Sequence, residues 1–580
     1  MMQQRYLAMI GADASVRTRA ARRLGREFRV VLDGPAAMML AHRDTPVIPL
    51  GASGAIIGVL RTMGVAGALE QLAPGAVDAV RSSRGQHLID RYWGSYVALL
   101  PEQGSGSVDV VRAPLGGLPC FHITIGSMMI LASDLSLLVD CAFYKPRLDR
   151  AALIRQLAAS DVRRHETCLA GLREMRGGER LTIDDDFKRA TLWSPWKFAA
   201  QQQQIADIDE APRRLRDVAR YTVAQQVRGR EKSLLMLSGG LDSSVVAACL
   251  ADESQDFAGL TFVTDNPAGD ERRFARAVTD RFGKSLVEAL LVVADVDVSV
   301  SAAAHLPRPV ARSFEQCITR LIAAAALDVS ASSVVNGGGG DNIFCSLQSV
   351  APLADCLLDP VAKGHFWHVA RELADFTQAS VWKIARGAWL RARSGRLYRR
   401  DPDLSFLMSG VATEASGALH HPWLAAPAGT FPGKSAQVAL LIGAQGLAED
   451  HDPLALLPSS PVLVTQPLVE TCLRIPSWRW FDHGCNRAAA RHAFANELPA
   501  EIAWRRTKGT PDSFLIQILE ANRALVRTIL LDGLLAEVGV LDRAAVADVL
   551  DDPRPARGHS FARIMQLVDA EVWARGWPGQ

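Results

Sequence analysis

The pattern of apolar and polar residues predicts strands along the first part of the chain, up to Trp196. Short apolar runs bounded by glycine and proline are typical of strands in an antiparallel sheet. The predicted strands are residues 6–10, 55–60, 93–100, 107–111, 121–125 and 128–132. The glutamine-rich stretch 199–204 that follows them predicts a linker between two domains.

After the linker, strand-like runs alternate with helical patterns. Runs at 233–237, 258–264, 286–292 and 332–336 predict strands, and 270–282 predicts a helix. Such alternation indicates a parallel, doubly wound sheet, whose ligands bind beyond the carboxyl ends of the strands. From about residue 355 the pattern is mostly helical. We therefore predict an α/β protein. An antiparallel sheet sandwich domain of α+β type over residues 1–200 precedes a doubly wound domain with a helical C-terminal part over residues 205–580.

Composition narrows the class of protein. A chain of 580 residues is too long for a single hydrophobic core, so two or more domains are expected. A content of 49% hydrophobic and 22% charged residues is typical of a globular protein. The net charge of +2 gives no electrostatic indication of a nucleic-acid partner. No apolar run reaches the roughly 18 residues of a membrane span. Nine scattered cysteines without a signal peptide predict reduced thiols and a cytoplasmic location.

Seven residues between a predicted strand and a predicted helix carry the strongest functional signal. They are Ser238, Gly239, Gly240, Leu241, Asp242, Ser243 and Ser244. Such a turn directs backbone N–H groups and a helix N-terminus at a phosphate, and its glycines allow close approach. The serine hydroxyls add donors, and Asp242 can hold a magnesium ion on the phosphates. The alternative is a serine-rich turn that only caps the helix.

A run of four glycines follows the strand predicted at 332–336. It comprises Gly337, Gly338, Gly339 and Gly340, and it continues into Asp341 and Asn342. Consecutive glycines are costly to order, so the run indicates backbone that lies against a ligand. If both loops leave one edge of the sheet, Asp242 and Asp341 can share one magnesium ion. The alternative is a flexible surface loop.

Two smaller features are candidates for catalysis. Asp270 and Glu271 open a predicted helix, where acidic residues either stabilise the helix N-terminus or orient a metal ion or substrate. Arg506 and Lys508 lie in a basic cluster that is either a solvated face or part of a site. Beside an activated carboxylate, a lysine can stabilise the charge that develops on the acyl oxygen and on the leaving group.

In this order, these motifs resemble the synthetase domain of the asparagine synthetase family. The family's S-G-G-[LI]-D-S-S, which resembles the PP-loop of ATP pyrophosphatases, is matched in full at 238–244. The family's G-E-G-x-D-E, P-F-L-D and R-x-K-G segments correspond to 337–342, 467–470 and 506–509. Segments that look like the family's glutaminase-type domain are 56–58, 93–96, 112–119 and 132–134. The resemblance therefore covers nearly the whole chain.

The resemblance implies ATP and Mg²⁺ as cofactors and assigns roles to residues. The residues expected to bind ATP are Leu237, Ser238, Gly239, Gly240, Leu241, Asp242, Ser243, Ser244, Thr264 and Gly337. The expected magnesium ligands are Asp242 and Asp341. The expected catalytic residues are Lys508, Arg506, Asp270 and Glu271.

One departure from the family concerns the nucleophile. Glutaminases of this type use an N-terminal cysteine, whereas this chain begins Met1, Met2, Gln3 and its first cysteine is Cys120. We therefore expect residues 1–200 to be a degenerate glutaminase-like domain that releases no ammonia. Residues 205–580 are expected to form the asparagine synthetase-like ATP pyrophosphatase domain. The nucleophile is then expected to be an amine of the substrate itself.

Within the family, the chain looks most like the lasso-peptide macrolactam synthetases, or lasso cyclases, of antibiotic biosynthesis. Gly338 stands where asparagine synthetases have glutamate, and residues 342–345 and 466–478 also look like the cyclases. The resemblance implies an AMP-forming ligase that adenylates an Asp or Glu side chain of a precursor peptide. The peptide's N-terminal amine then closes a macrolactam. The expected partner is the precursor peptide, and a leader-peptide protease and a leader-binding protein are further candidates.

Two other functions stay open. A β-lactam synthetase closes a four-membered ring within a small amino acid, and a catalytically inactive binding module can keep the same fold. Magnesium-dependent ATP binding separates the inactive module from either enzyme.

A basic segment raises a separate question. Its basic residues are Lys383, Arg386, Arg391, Arg393, Arg396, Arg399 and Arg400, and they are interleaved with Trp382, Trp389 and Tyr398. This composition is typical of an exposed helix face, of an RNA-binding surface, or of a docking surface for the peptide or a partner protein. We expect no nucleic-acid partner.

Overall fold

The computed structural model describes residues 4–102, 104–184, 187–205, 207, 209–253, 255–264, 269–449, 457, 459–506, 512–554 and 560–578. The strands of the first part are β1 (Tyr6–Ile10), β2 (Phe28–Asp33), β3 (Ala37–His42), β4 (Val47–Pro49), β5 (Ala55–Arg61), β6 (Trp93–Pro101), β7 (Val108–Arg112), β8 (Phe121–Ile125), β9 (Met128–Ala132), β10 (Arg173–Glu174), β11 (Glu179–Ile183) and β12 (Phe187–Thr191). Its helices are α1 (Ala14–Leu24), α2 (Pro74–Ser82), α3 (Gln86–Arg91), α4 (Leu135–Asp140), α5 (Arg150–Ala158) and α6 (Pro195–Ala199).

These strands form two six-stranded antiparallel sheets, ordered β10-β8-β9-β1-β3-β2 and β12-β11-β7-β6-β5-β4. Successive side chains of a strand point to opposite faces, so each sheet turns one apolar face inward. Tyr6 and Met39 of the first sheet pack with Ile57, Val97 and Val110 of the second in a fully buried cluster. The sheets therefore form a sandwich, which confirms the prediction of antiparallel structure in this part of the chain.

The second part contains the parallel sheet and most of the helices. Its strands are β13 (Ser233–Met236), β14 (Phe257–Val263), β15 (Leu286–Leu290), β16 (Ser333–Asn336), β17 (Ser459–Pro461), β18 (Phe481–Asp482) and β19 (Cys485–Asn486). Its helices are α7 (Glu210–Val227), α8 (Leu241–Asp252), α9 (Arg272–Phe282), α10 (Glu315–Asp328), α11 (Gly340–Ile343), α12 (Ala351–Leu358), α13 (Phe366–Thr377), α14 (Val381–Ser394), α15 (Pro432–Glu449), α16 (Gln466–Leu473), α17 (Ala488–Phe494), α18 (Ala500–Ala503), α19 (Asp512–Ala521), α20 (Arg523–Leu531), α21 (Leu534–Glu537), α22 (Arg543–Leu550) and α23 (Ser560–Arg575).

Five strands of this part form a parallel sheet in the order β15-β14-β13-β16-β17. Leu234 and Val334 pack with Ala326 of α10 on one face. Leu235 and Val335 belong to the large core on the other face. Helices therefore cover both faces, as the alternating pattern predicts, and the carboxyl ends of β13 and β16 lie side by side.

A buried charge cluster ties the two parts together. Glu174 of β10 accepts a hydrogen bond from Arg112 Nη1 at 3.2 Å and another from Arg308 Nη1. Arg308 comes from the segment before α10, and it also donates to the carbonyl oxygens of Arg164 and Glu166 at 2.9 Å. Burial raises the pKa of Glu174, but the neighbouring arginines, Arg308 first, outweigh burial and lower it to about 2.

The element bounds follow the sequence closely in several places. The strands predicted at 121–125 and 128–132 have the predicted bounds, and β13 and β14 differ from theirs by one residue. The predicted linker differs more. Gln201–Gln203 form a 3-10 turn, and the Ile205 N–H donates to the Arg474 carbonyl at 2.8 Å.

Within the described ranges, no helix combines the length and apolar character that crossing a membrane requires.

Candidate active site

The glycine-rich loop joins the end of β13 to the start of α8, at the carboxyl edge of the parallel sheet. Gly239 has a φ of +66°, and a Cβ there would lie 2.4 Å from Phe274 Cβ. Gly240 precedes α8, and Ser244 Oγ donates to its carbonyl oxygen at 2.8 Å. The N-terminus of α8 therefore lies at the edge where doubly wound sheets bind ligands.

Leu237 and Thr264, two of the residues expected to bind ATP, lie at the same edge. The Leu237 N–H donates to the Leu260 carbonyl at 2.7 Å, which ties the loop to β14. Thr264 follows the last residue of β14. Ser238 is exposed, and its hydroxyl oxygen lies 3.4 Å from that of Ser243. Backbone and hydroxyl groups of the predicted nucleotide site are thus gathered on neighbouring strands.

The four-glycine loop packs directly on the first loop. A Cβ on Gly337 would lie 2.6 Å from Ser243 N, and one on Gly340 would lie 2.4 Å from Asp242 Cγ. Gly339 has a φ of +78°, which favours glycine. The sequence predicted that this backbone lies against a ligand. At Gly337 and Gly340, the close neighbour that requires glycine is the protein itself.

The loop contact brings Asp242 and Asp341 to one cation. Arg487 Nη1 donates to Asp242 Oδ1 at 3.2 Å, to Asp242 Oδ2 at 3.1 Å, and to Asp341 Oδ1. The side chain of Asp242 is 9% exposed, whereas that of Asp341 is 47% exposed. The two carboxylates thus converge as the sequence predicts, one buried and one open to solvent.

The converging carboxylates have the donor chemistry that a magnesium ion requires. Carboxylate oxygens from two elements face one positively charged group, and Mg²⁺ prefers oxygen ligands together with substrate phosphates. Arg487 holds the position between Asp242 and Asp341. Asp242 and Asp341 are the carboxylates that would hold a magnesium ion at this position.

Arg487 was not singled out from the sequence. It stands between β19 and α17 with a φ of +59°, 245 residues from Asp242. The sequence carried one weak signal, a second arginine four residues later at Arg491 in a largely apolar helix. Nothing in that spacing indicates a contact with two distant loops.

Asp270 and Glu271 have partners of their own. Arg505 donates to both carboxylate oxygens of Glu271 at 2.6 Å, and its guanidinium lies 3.5 Å from the ring centre of Phe274. Asp270 accepts from the backbone N–H of Arg272 at 3.0 Å and from its Nη2 at 2.7 Å. The side-chain hydrogen bonds from Arg272 lower the pKa of Asp270. Arginine side chains thus hold both carboxylates, and the catalytic role of Asp270 and Glu271 stays a prediction.

A cavity of about 360 Å³ opens beside the acidic pair. Its lining includes Asp341, Arg487, Arg491, Arg506 and Phe376. Arg506 donates to Asp375 Oδ2 at 2.8 Å as well. Among its described lining residues, the cavity therefore combines one carboxylate with three guanidinium groups at the end of the four-glycine loop.

Lys508 lies outside the described residues. Arg505 and Arg506 are the last described residues before it, and Arg505 Nη1 lies 3.5 Å from the Gly239 carbonyl oxygen.

The first part of the basic segment lies on an exposed face of α14, and Arg396, Arg399 and Arg400 follow the end of this helix at Ser394. Trp382, Arg386, Trp389 and Arg393 follow one another along the exposed side of α14, whereas Ile384 is buried on the other side. The Arg393 guanidinium lies 5.4 Å from the Trp389 ring centre. This face contributes no residue to the lining of the cavity at Asp341.

Comparison with known proteins defines the class. Residues 214–404 and 462–575, more than half of the chain, match the family model described as asparagine synthase. The protein is an ATP-dependent amide-forming enzyme. It belongs to the asparagine synthase family, as the motifs predict.

A curated relative and two solved structures are also similar. The chain is 19% identical over 391 residues to the microcin J25-processing protein McjC of Escherichia coli, across 66% of this chain and 67% of the relative. An allosteric regulatory enzyme of purine biosynthesis is 9% identical, with 49% of this chain and 80% of that chain covered at a TM-score of 0.21. Glutamine phosphoribosylpyrophosphate amidotransferase from B. subtilis is 10% identical, with 57% and 90% covered at a TM-score of 0.21. Such low TM-scores carry no argument about fold or function.

Replacing Gly340 by alanine should separate the two loops. The added Cβ would lie 2.4 Å from Asp242 Cγ, so the second loop must shift by roughly an ångström. Misplacement of that size in a catalytic site typically costs about 100-fold in rate. The measurement is the rate of ATP consumption, with thermal unfolding to confirm folding. Gly364→Ala is the matched control, because a Cβ there meets nothing within 4 Å. Equal rates for both variants would contradict the loop contact.

Proposed function

We propose that the protein is a lasso-peptide cyclase, which adenylates an Asp or Glu side chain of a precursor peptide and closes a macrolactam with the peptide's N-terminal amine. The observation that carries this proposal is the complete loop at 238–244 beside Asp341 at one sheet edge. The similarity to a microcin J25-processing protein supports a peptide as the substrate. Gly338, where asparagine synthetases have glutamate, supports the cyclase branch.

The proposed reaction has two steps in one site. A carboxylate oxygen of the peptide attacks the α-phosphorus of ATP, and pyrophosphate leaves. The peptide amine then attacks the acyl carbon, loses a proton, and releases AMP. Holding amine and acyl-adenylate in one cavity makes ring closure effectively unimolecular.

Each step is assigned to groups of the site. The N-terminus of α8 and the hydroxyl of Ser238 are proposed to bind the phosphates, and the backbone at Leu237 and Thr264 is proposed to border the adenine. Asp242 and Asp341 would hold Mg²⁺, which would supply charge neutralisation on the phosphates. Arg487 balances the acidic pair, and Arg506 lies in the same cavity. Lys508 is proposed to stabilise the charge on the acyl oxygen and on pyrophosphate.

The first 200 residues are proposed to be a degenerate glutaminase-like domain, and residues 205–580 the synthetase-like domain. All nine cysteines are buried and free. Burial raises the pKa of Cys120 to about 11 and that of Cys168 to about 12, so neither provides a thiolate at neutral pH. The first domain then acts as a wall of the peptide cavity instead of a source of ammonia.

Mass spectrometry of the peptide product tests the proposal. The probe is the leader-free product of a short reading frame that neighbours the gene, incubated with the enzyme, ATP and Mg²⁺. We expect a product lighter by one water, with a blocked N-terminal amine and a consumed Asp or Glu carboxyl group. A dehydrated small amino acid and an unchanged peptide would instead indicate a β-lactam synthetase. ATP binding without any dehydrated product would indicate an inactive module.

A further inference from the structure

A second and larger cavity, of about 690 Å³, lies between the strand sandwich and the parallel sheet. The sandwich contributes Arg61, Trp93 and Gly116, and the second part contributes the end of α7 and the stretch 459–465. The cavity shares a wall with the candidate active site. A Cβ on Gly338 would lie 3.5 Å from Pro461 Cβ, and Pro461 also lines this cavity.

The charged side chains of this cavity all have one sign. Arg61, Arg228 and Arg230 line it, and no aspartate or glutamate is among the described lining residues. Over the described part of the chain, none of the three arginines forms an ion pair. Arg308 and Arg505, by contrast, pair with Glu174 and Glu271.

Arg61 is a partly buried arginine that lines this cavity. Its Nε donates to the Gln225 carbonyl at 3.2 Å, and its guanidinium lies 5.4 Å from the Trp93 ring centre. No described hydrogen bond uses its two terminal nitrogens. Burial is the main cause that lowers the pKa of Arg61 to about 10, with Arg230 acting in the same direction. A partly buried cation without a counter-ion is costly, so a group that supplies negative charge is expected.

Neighbouring polar groups are unsatisfied as well. Trp93 is 4% exposed and Thr465 is 3% exposed, and both line the cavity. Trp93 Nε1 and Thr465 Oγ1 have no hydrogen-bond partner within the described ranges. Buried donors are nearly always bonded in a complete structure. Two residues that line the cavity beside Arg61 therefore carry an unsatisfied polar atom.

We propose that this cavity binds a carboxylate-bearing segment of the peptide substrate, with Arg61 as the principal anion contact. The planar guanidinium fits a carboxylate bidentately, and Val59, Leu115 and Val462 offer apolar wall for the rest of the peptide. The nucleotide phosphates have their own place at the loop 238–244, so a second anion here belongs to the other substrate. The assignment rests on the proposed function and names where its peptide is recognised.

Calorimetric titration tests the assignment without ATP. The probes are acetyl-Gly-Asp-Glu-Gly-amide, its neutral counterpart acetyl-Gly-Asn-Gln-Gly-amide, and acetyl-tetraglycine with a free C-terminal carboxylate. We expect the wild-type protein to bind at least one carboxylate probe and not the neutral one. The two carboxylate probes separate side-chain from C-terminal recognition. Arg61→Met should weaken binding about 10- to 100-fold, because it removes a charged hydrogen-bond donor. Arg228→Gln at the cavity mouth should weaken it less.

The control variant is Arg26→Met, an exposed arginine of the same sandwich, which should bind as wild type does. Equal binding by wild type and Arg61→Met, or equal affinity for the neutral probe, would overturn the proposal. Displacement of the bound probe by an equal concentration of inorganic phosphate would overturn the carboxylate assignment.

Thermal unfolding supplies an independent readout. If Arg61 serves a ligand, ligand-free Arg61→Met should melt at or above the wild-type temperature, because an uncompensated charge is removed. A clear drop in melting temperature would make Arg61 structural and contradict the proposal. These experiments use no ATP, so they test peptide binding separately from catalysis. The cavity assignment can be wrong while the cyclase proposal is right, and the cyclase proposal can be wrong although the cavity binds a carboxylate.

Discussion

Lys508→Ala should slow ring closure by about 100- to 1000-fold while leaving ATP binding largely intact. The reason is that an ammonium group acting on the acyl oxygen and on pyrophosphate meets charge that appears mainly in the transition state. Nucleotide affinity and cyclisation rate are measured separately, since only the second should change.

Two variants sharpen this test. Lys508→Arg should not fully restore the rate, because a planar fork does not replace a compact ammonium. Lys363→Ala removes an exposed lysine of the same half and should behave as wild type. Near wild-type cyclisation by Lys508→Ala would make Lys508 a surface residue, and the assignment of 506–509 would be wrong.

Glu174→Ala should destabilise the protein by about 3–5 kcal/mol, because it leaves Arg112 and Arg308 buried without their shared carboxylate. The three side chains are almost fully buried, at 1%, 2% and 4% exposed for Arg112, Arg308 and Glu174. Chemical denaturation measures the loss. Glu70→Ala, at an exposed glutamate of the same sandwich, should leave the free energy of unfolding nearly unchanged.

The same carboxylate gives a pH dependence of defined sign. Its pKa is lowered from the ordinary 4.5 to about 2 in the folded protein. The ion pair therefore contributes fully above pH 4.5, and its contribution is lost as the pH falls from there toward 2. The acid-induced loss should be smaller in Glu174→Ala. An unchanged acid transition in the variant would show that other carboxylates govern it.

The sequence predicted the strands whose own residues favour an extended conformation. The strands at 121–125 and 128–132 are short runs rich in apolar residues on either side of Gly126, and the structure has them with the same bounds. Strand β12 was missed because its residues are mostly polar and exposed, and it forms by pairing with β11. Strand β17 has three residues, Ser459–Pro461, and it forms by pairing with the edge of β16. Pairing of this kind leaves no periodic pattern.

The candidate site divides in the same way. The closeness of Asp242 and Asp341 follows from parallel topology, since both loops leave the carboxyl ends of neighbouring strands. Arg487 and the Glu271–Arg505 pair join segments more than 200 residues apart, and no local pattern specifies such contacts. The sequence also could not show why positions 337 and 340 require glycine. The reason is the short distance between the two loops, which is known only once the chain is folded.

The nucleotide products of turnover test the central claim most directly. Chromatography of the reaction mixture, with the dehydrated peptide counted in parallel, gives the stoichiometry. The account predicts one AMP and one pyrophosphate for each macrolactam formed. When the peptide's N-terminal amine is acetylated, the only AMP should be the small amount released by slow hydrolysis of the adenylate. ADP and phosphate as the main products would contradict it.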